Sequence, residues 1–236
     1  MPVATTATYL FWASRISEGA PEVNLLCSLL ALVGIILFHA GGNVLSDYHD
    51  FRKGVDTPEN AMMLPLVNGS FKPAEFKWYG VLLLLFGCAV GLALLLLTQN
   101  IQLLYVGLAG GVLTLLYSFL KYHSLGDVVI LLNYAVLPIM GTSIVAIGQI
   151  DWSAMVLVVP LGLITDSILH INNARDAVSD RAAGIRTFAM LIGGKWAVRV
   201  YQLELLLPFV LVALMVALGV MPAFSLLCLV VFPRAY

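Results

Sequence analysis

Two polar stretches interrupt an otherwise apolar chain, and each carries a pair of aspartates about one helical turn apart. The first pair is Asp47 and Asp50, and the second is Asp176 and Asp180. Carboxylates at this spacing repel each other, and near a helix C-terminus they also oppose the helix dipole. A divalent cation would relieve both conflicts, and Mg²⁺ prefers one or two carboxylates together with phosphate oxygens. The pattern therefore predicts that all four aspartates are catalytic metal ligands for Mg²⁺.

Further polar residues continue each stretch along a helical face. His39 and Asn43 precede the first pair at a spacing of four residues, whereas Asp166, His170 and Asn173 precede the second pair. Residues three and four apart share one face of a helix. An ionisable residue inside an apolar span is a functional hypothesis by default. His39, Asp166 and His170 are therefore candidate proton acceptors or acceptor-binding groups, and a hydrogen-bonded core role is the alternative for each histidine.

The two stretches also echo each other in sequence. Asn43-x-x-x-Asp47 recurs as Asn172-x-x-x-Asp176, 129 positions later. Sites in membrane proteins often form at the interface between such repeats. Two carboxylate pairs facing each other across a cavity would suit two metal ions that hold a diphosphate. The nearby cations could complete the charge neutralisation, with membrane topology as the alternative explanation for each; they are Arg52, Lys53, Arg175, Arg181 and Arg186.

Composition shows what kind of elements must carry these residues. The chain has 236 residues, of which 61% are hydrophobic and 11% charged, and its mean hydropathy is +0.99. Soluble domains carry about 25% charged residues, and a transmembrane helix needs about 20 apolar ones. Six segments meet that length: 24–46, 79–98, 101–120, 128–150, 152–172 and 197–220. With two shorter terminal stretches, 1–13 and 221–231, they predict an all-α, polytopic membrane helix bundle of about eight spans.

Apart from Arg15, which falls on the other side, positive charge is confined to alternate loops. Lysines and arginines lie between the first and second spans, between the third and fourth, and after the fifth, whereas the intervening loops have none. Cationic residues collect in cytoplasmic loops. Both aspartate pairs are therefore predicted on the cytoplasmic side, in long loops over 47–78 and 173–196. Arg234 falls on the same side if the last apolar segment spans.

These residues resemble the UbiA superfamily of intramembrane prenyltransferases. The resemblance is strongest to the 1,4-dihydroxy-2-naphthoate polyprenyltransferase branch of menaquinone biosynthesis. It is carried by NVLSDYHDFRKGVDT from Asn43 to Thr57, NNARDAVSDRAAGIRT from Asn172 to Thr187, and YSFLKYHSLGD from Tyr117 to Asp127. Two departures stand out: Ser46 replaces the family's usual Asn, and Ile185 replaces the Lys usual in the naphthoate branch.

The resemblance implies a bundle of about nine helices around a central cavity that opens to lipid. It implies that the two aspartate motifs bind Mg²⁺ and a prenyl diphosphate, with Asn43 and Asn173 as amide ligands and Lys53, Lys121 and Arg181 as cationic ones. Compared with that bundle, the chain is expected to be a single transmembrane prenyltransferase domain over 1–236, with terminal helices short or missing.

The predicted function is Mg²⁺-dependent transfer of a polyprenyl group from its diphosphate to an aromatic acceptor, with 1,4-dihydroxy-2-naphthoate favoured. The alternatives are another acceptor such as 4-hydroxybenzoate, a membrane transporter, and a non-catalytic prenyl-lipid-binding protein. A multi-pass location in a bacterial inner membrane is expected, with the site toward the cytoplasm. The expected partners are the two substrates and the lipid bilayer, without nucleic acid.

Overall fold

The structure is a computed structural model. It describes residues 1–231, with only the backbone of Asn60, so that Arg234 lies outside the described residues. Within that range the chain is helical and has a single isolated β-bridge, between His123 and Arg186. The helices are α1 (Pro2–Ile16), α2 (Leu25–Lys53), α3 (Pro58–Ala61), α4 (Pro73–Thr98), α5 (Ile101–Lys121), α6 (Gly126–Leu131), α7 (Leu137–Ile147), α8 (Trp152–Arg175), α9 (Ala177–Ala182), α10 (Phe188–Ile192) and α11 (Gly194–Ala217).

Six helical segments are long and apolar enough to cross a membrane. They are α2, α4, α5, the continuous stretch from α6 to α7, α8 and α11. The predicted count of about eight is not confirmed. Helix α1 has 15 residues and is about 22 Å long at 1.5 Å per residue, less than the roughly 30 Å of a bilayer core. The terminal apolar segment Ala223–Val231 forms a short 3₁₀ helix.

Close backbone approach holds α2 against α4. A Cβ atom added to Gly41 would lie 2.9 Å from the Gly80 carbonyl oxygen, and one added to Gly87 would lie 2.9 Å from Phe38. Small residues let membrane helices pack at such short range. Helix α8 packs along α11, and its Gly162 lies directly against Ala135. These contacts fix the two helices that carry the aspartate pairs.

The two polar loops contain more helix than the hydropathy pattern predicted. Helix α2 continues through the first aspartate pair to Lys53, and α8 continues to Arg175. On the return, α4 begins early at Pro73, where the Glu75 side chain accepts a hydrogen bond from the Lys72 N–H. Hydropathy marks the part of a helix inside the bilayer, whereas capping residues decide where the helix ends. The helix ends therefore project beyond the apolar spans.

A π-helical turn over Leu132–Val136 joins α6 to α7. Pro138 follows it and has no N–H to donate, so the regular pattern of helical backbone hydrogen bonds is interrupted here. Turns of this kind are frequent at functional sites. The Asn133 side chain in this turn donates to the Thr114 hydroxyl at 3.1 Å, which ties the turn to α5.

The charge pattern makes a prediction about orientation. In a variant without the three native cysteines, we expect a cysteine at Ser70 to react only with reagent on the cytoplasmic side. A cysteine at Gln149 should react only from the opposite side, because the loops near Gln99 and Asp151 carry no lysine or arginine. Both positions are exposed. Labelling of sealed vesicles with a membrane-impermeant maleimide tests this, and the reverse pattern would overturn the topology.

Candidate active site

The two aspartate-bearing helix ends come together at one end of the bundle. The residues between α5 and α6 lie between them. Lys121 donates to the Asp50 carboxylate at 2.9 Å, while the Tyr122 carbonyl accepts from the Arg186 N–H at 3.1 Å. The Ser124 hydroxyl donates to the Arg186 carbonyl at 3.0 Å. This connection, residues 121–125, therefore touches both aspartate-bearing segments.

The two segments repeat each other in backbone geometry. The Asp50 carbonyl accepts from the N–H five residues later at 2.9 Å, and the Asp180 carbonyl does the same at 2.8 Å. Between the bonded residues lie Gly54 and Gly184, with φ of +74° and +73°, a conformation in which glycine avoids Cβ strain. The structural repeat is thus offset by 130 positions, one more than the echo read from Asn43 and Asn172.

Buried residues follow both glycines. Val55 and Ile185 occupy equivalent positions, and Ile185 is only 1% exposed. Ile185 is the residue that replaces the Lys usual in the naphthoate branch. In this fold it packs in the interior, where an ammonium group would carry a large desolvation cost. This position therefore contributes packing to the turn and no charge to the site.

Asp50 is the most enclosed carboxylate of the first pair. Its Oδ2 accepts from the Lys121 ammonium at 2.9 Å, and its Oδ1 accepts from the Tyr122 phenol at 2.6 Å. The residue is 7% exposed. The Lys53 ammonium lies 4.3 Å from the centre of the Tyr122 ring, a favourable cation–π distance. No sequence pattern marks Tyr122, although it directly follows the predicted ligand Lys121.

The other three aspartates differ in their partners. Asp176 forms a two-pronged ion pair with its neighbour Arg175, with both N–O distances 2.7 Å, on the surface of the protein. The side chains of Asp47 and Asp180 have no hydrogen-bond or ion-pair partner within residues 1–231. One carboxylate from each pair is therefore open to a cation, while the other is already engaged.

Carboxylates crowd around Lys121. Burial, followed by the charges of Asp50 and Asp47, raises the pKa of Asp56 to about 6. Burial also raises the pKa of Asp180; the Lys121 ammonium opposes this, and Asp176 and Asp50 add to it. Nearby negative charges make a carboxyl group harder to ionise. Asp56 was not predicted as a site residue, although it lies within the first motif.

This surplus of negative charge fits divalent cations. Within the described residues, no three Asp, Glu, His or Cys side chains lie close enough to form a metal site by themselves. Mg²⁺ does not need such a set, because it binds through one or two carboxylates and takes other ligands from water and phosphate. Asp47 and Asp180 are thus suited to hold Mg²⁺ when a phosphate group supplies the remaining oxygens.

Two cavities lie deeper in the bundle. A polar cavity of about 430 Å³ is lined by residues from α2, α5, α8 and the π-helical turn, including His39, Asn43, Tyr117, Tyr134 and Asn172. An apolar cavity of about 490 Å³ lies between α2, α4, α5 and α7 and shares His39, Thr114 and Asn133 with the first. The polar cavity therefore continues into the apolar cavity.

The predicted polar face of α8, formed by Asp166, His170 and Asn173, points away from the polar cavity. Asn172 lines this cavity and Asn173 does not; the Asn173 side chain is buried. His170 is fully buried, with its Nδ1 2.9 Å from the Asp127 carboxylate and its Nε2 donating to the Ala197 carbonyl at 3.1 Å. Both ring nitrogens are used in joining α6, α8 and α11. This is the hydrogen-bonded core role that the sequence left open.

Asp166 lies in the same buried region. It is 2% exposed, its Oδ1 has no partner, and it does not line either cavity. By contrast, His39 lines both cavities and lies 4.1 Å from the Tyr134 ring, centre to centre. The Tyr134 phenol points to the Asn43 side chain at 3.4 Å. Five predicted cationic ligands are exposed near the helix ends: Arg52, Lys53, Arg175, Arg181 and Arg186.

Comparison with curated proteins yields animal relatives. The chain is 37% identical over 201 residues to UbiA prenyltransferase domain-containing protein 1 of Danio rerio, covering 82% of this chain and 58% of that protein. The Homo sapiens protein of the same name is 34% identical over 204 residues, with 84% and 60% covered. The chain thus spans about three fifths of these relatives. The names of these relatives agree with the predicted superfamily but do not indicate the naphthoate branch. Their animal origin gives no support to the predicted location in a bacterial membrane.

A solved structure shares the fold. A UbiA homolog from Archaeoglobus fulgidus, bound to GPP and Mg²⁺, superposes with a TM-score of 0.61 at 19% identity, covering 99% of this chain and 80% of that one. A second structure of a homolog from that organism, bound to DMAPP and Mg²⁺, gives 0.61 at 18%. A model of the UbiA prenyltransferase family matches residues 3–236. The chain belongs to the UbiA prenyltransferase family.

Proposed function

We propose that this protein catalyses Mg²⁺-dependent transfer of a prenyl group from a prenyl diphosphate to an aromatic acceptor. The observation that carries the proposal is the meeting of two aspartate pairs around Lys121, beside a polar cavity that continues into an apolar one. The solved homologs with GPP or DMAPP and Mg²⁺ support it. A transporter would not require this convergence of carboxylates and cations at two helix ends.

The proposed chemistry follows from charge. Asp47 and Asp180 would hold Mg²⁺, with Asp50 and Asp176 joining when their present partners release them. Bound Mg²⁺ would neutralise the departing diphosphate as a Lewis acid and template. Lys121 and the exposed arginines of the two segments would bind the diphosphate oxygens. As the prenyl–oxygen bond weakens, the carbon becomes cation-like and is attacked by an electron-rich ring.

The two cavities suit the two substrates of this reaction. The apolar cavity would take the prenyl chain and keep water from the cation-like carbon. The polar cavity would take the aromatic ring, since the amide and phenol groups of its lining can bond to ring hydroxyls. The ring then loses a proton or a carboxyl group. Of the three predicted proton acceptors, we retain His39, because His170 and Asp166 face the interior between α6, α8 and α11.

For the acceptor we propose 1,4-dihydroxy-2-naphthoate over 4-hydroxybenzoate, on the motif resemblance. In a competition assay with both acids at equal concentration and one polyprenyl diphosphate, we expect mainly prenylated naphthoate, identified by mass spectrometry of the extract. Exclusive prenylation of the benzoate would overturn the acceptor and leave the reaction class standing. A folded protein that binds prenyl diphosphate and Mg²⁺ but prenylates neither acid would favour the non-catalytic alternative.

A further inference from the structure

Tyr122 connects three parts of the candidate site. Its phenol donates to Asp50 Oδ1 at 2.6 Å. Its ring lies under the Lys53 ammonium. Its carbonyl accepts from the Arg186 N–H. One residue therefore binds the first aspartate motif by its side chain and the second segment by its backbone.

The connection that carries Tyr122 is anchored. Ser124, two residues later, has a φ of +65°, a conformation that costs energy in a residue other than glycine and persists only where its surroundings enforce it. Its hydroxyl is bonded to the Arg186 carbonyl, and Gly126 packs against Lys121. These contacts hold the Tyr122 backbone, so the phenol has little freedom to follow Asp50 if that side chain moves.

The Asp50 carboxylate has no oxygen free of a hydrogen bond. Oδ1 is used by Tyr122 and Oδ2 by Lys121, and the side chain is 9% exposed. Each oxygen keeps a second lone pair, but this side chain is almost wholly enclosed, so a cation that binds the carboxylate competes with one of its two partners. Lys121 has a long flexible stem and can move with its charge to a diphosphate oxygen.

We propose that Tyr122 competes with Mg²⁺ for Asp50 and thereby sets the Mg²⁺ concentration at which the site fills. The inference rests on the proposed function, since it takes Asp50 as a ligand of Mg²⁺. Tyr122 is then a positioning residue that acts through Asp50. Without the phenol, Asp50 Oδ1 can bind the cation without losing that hydrogen bond, so metal binding tightens.

The test compares Tyr122→Phe with the wild-type protein in metal binding. Binding of Mn²⁺ to the purified full chain is followed by the electron paramagnetic resonance signal of free Mn²⁺, with inorganic pyrophosphate present. We expect the dissociation constant for Mn²⁺ to fall about three- to tenfold, as the loss of one competing hydrogen bond implies. The matched control, Tyr105→Phe, removes the same hydroxyl from a lipid-exposed position of α5 and should bind like wild type.

A second variant is expected to raise the dissociation constant for Mn²⁺. Incorporation of 3-fluorotyrosine at position 122 keeps the ring and strengthens the phenol as a donor, so we expect weaker Mn²⁺ binding. Thermal unfolding in EDTA checks that each variant is folded. A purely structural role for Tyr122 would lower the unfolding temperature without tightening metal binding. Unchanged or weaker binding by folded Tyr122→Phe would overturn this inference alone, whereas wild-type protein that binds no Mn²⁺ with pyrophosphate would overturn the proposed metal site itself.

Discussion

Replacing Asp180 by asparagine is expected to reduce prenyl transfer by about 10²- to 10³-fold, the range seen when one preorganised stabilising group is removed. Asp180 has no partner among the described side chains, and burial together with nearby carboxylates raises its pKa. The ionised carboxylate therefore lacks compensating positive charge, which a divalent cation would supply. Asparagine keeps the size of the side chain and removes that charge. The same reasoning and magnitude apply to Asp47→Asn on the other motif.

The measurement is product formed per minute by purified protein at saturating Mg²⁺ and prenyl diphosphate. Asp151→Asn is the matched control. Asp151 lies at the opposite end of the bundle and accepts a hydrogen bond from the Ala154 N–H at 2.7 Å, a capping role that asparagine also fills. We expect its activity to stay near wild type. A near wild-type rate for folded Asp180→Asn or Asp47→Asn would remove that residue from the metal site.

Removal of divalent cations is expected to abolish turnover entirely. The carboxylates around Lys121 outnumber the ammonium group that faces them, and a diphosphate would add further negative charge. Without a divalent cation these charges repel the substrate from the site. With excess EDTA we expect product to fall to the level of a protein-free blank, and addition of Mg²⁺ or Mn²⁺ beyond the chelator to restore it, because both suit oxygen-rich sites.

A control with added potassium chloride at equal ionic strength separates this requirement from general screening. Potassium alone should not restore turnover. Thermal unfolding measured in the same EDTA solution shows whether the protein itself remains intact. Full turnover in excess chelator, by protein that is demonstrably folded, would contradict the role proposed for Asp47 and Asp180.

The amino-acid sequence alone predicted much of what positions the site. Long apolar runs have no soluble alternative, so the six spans follow from hydropathy and length. The positions of Asp47, Asp50, Asp176 and Asp180 at helix ends follow from periodicity, which is a local property. Local reasoning failed at the helix bounds: α2 reaches Lys53 although its apolar stretch ends earlier, because polar residues extend a helix without a hydropathy signal.

Tertiary structure decided which partner each of these side chains meets. Periodicity places Asp166 and His170 on one face of α8, but only packing shows that this face meets α6 and α11 while Asn172 faces the cavity. Likewise, the pairing of Asp50 with Tyr122 depends on where the connection between α5 and α6 runs, and those residues are 72 positions apart. Residue spacing specifies a face of a helix, whereas the neighbour of that face is set by contacts between distant segments, which no local pattern records.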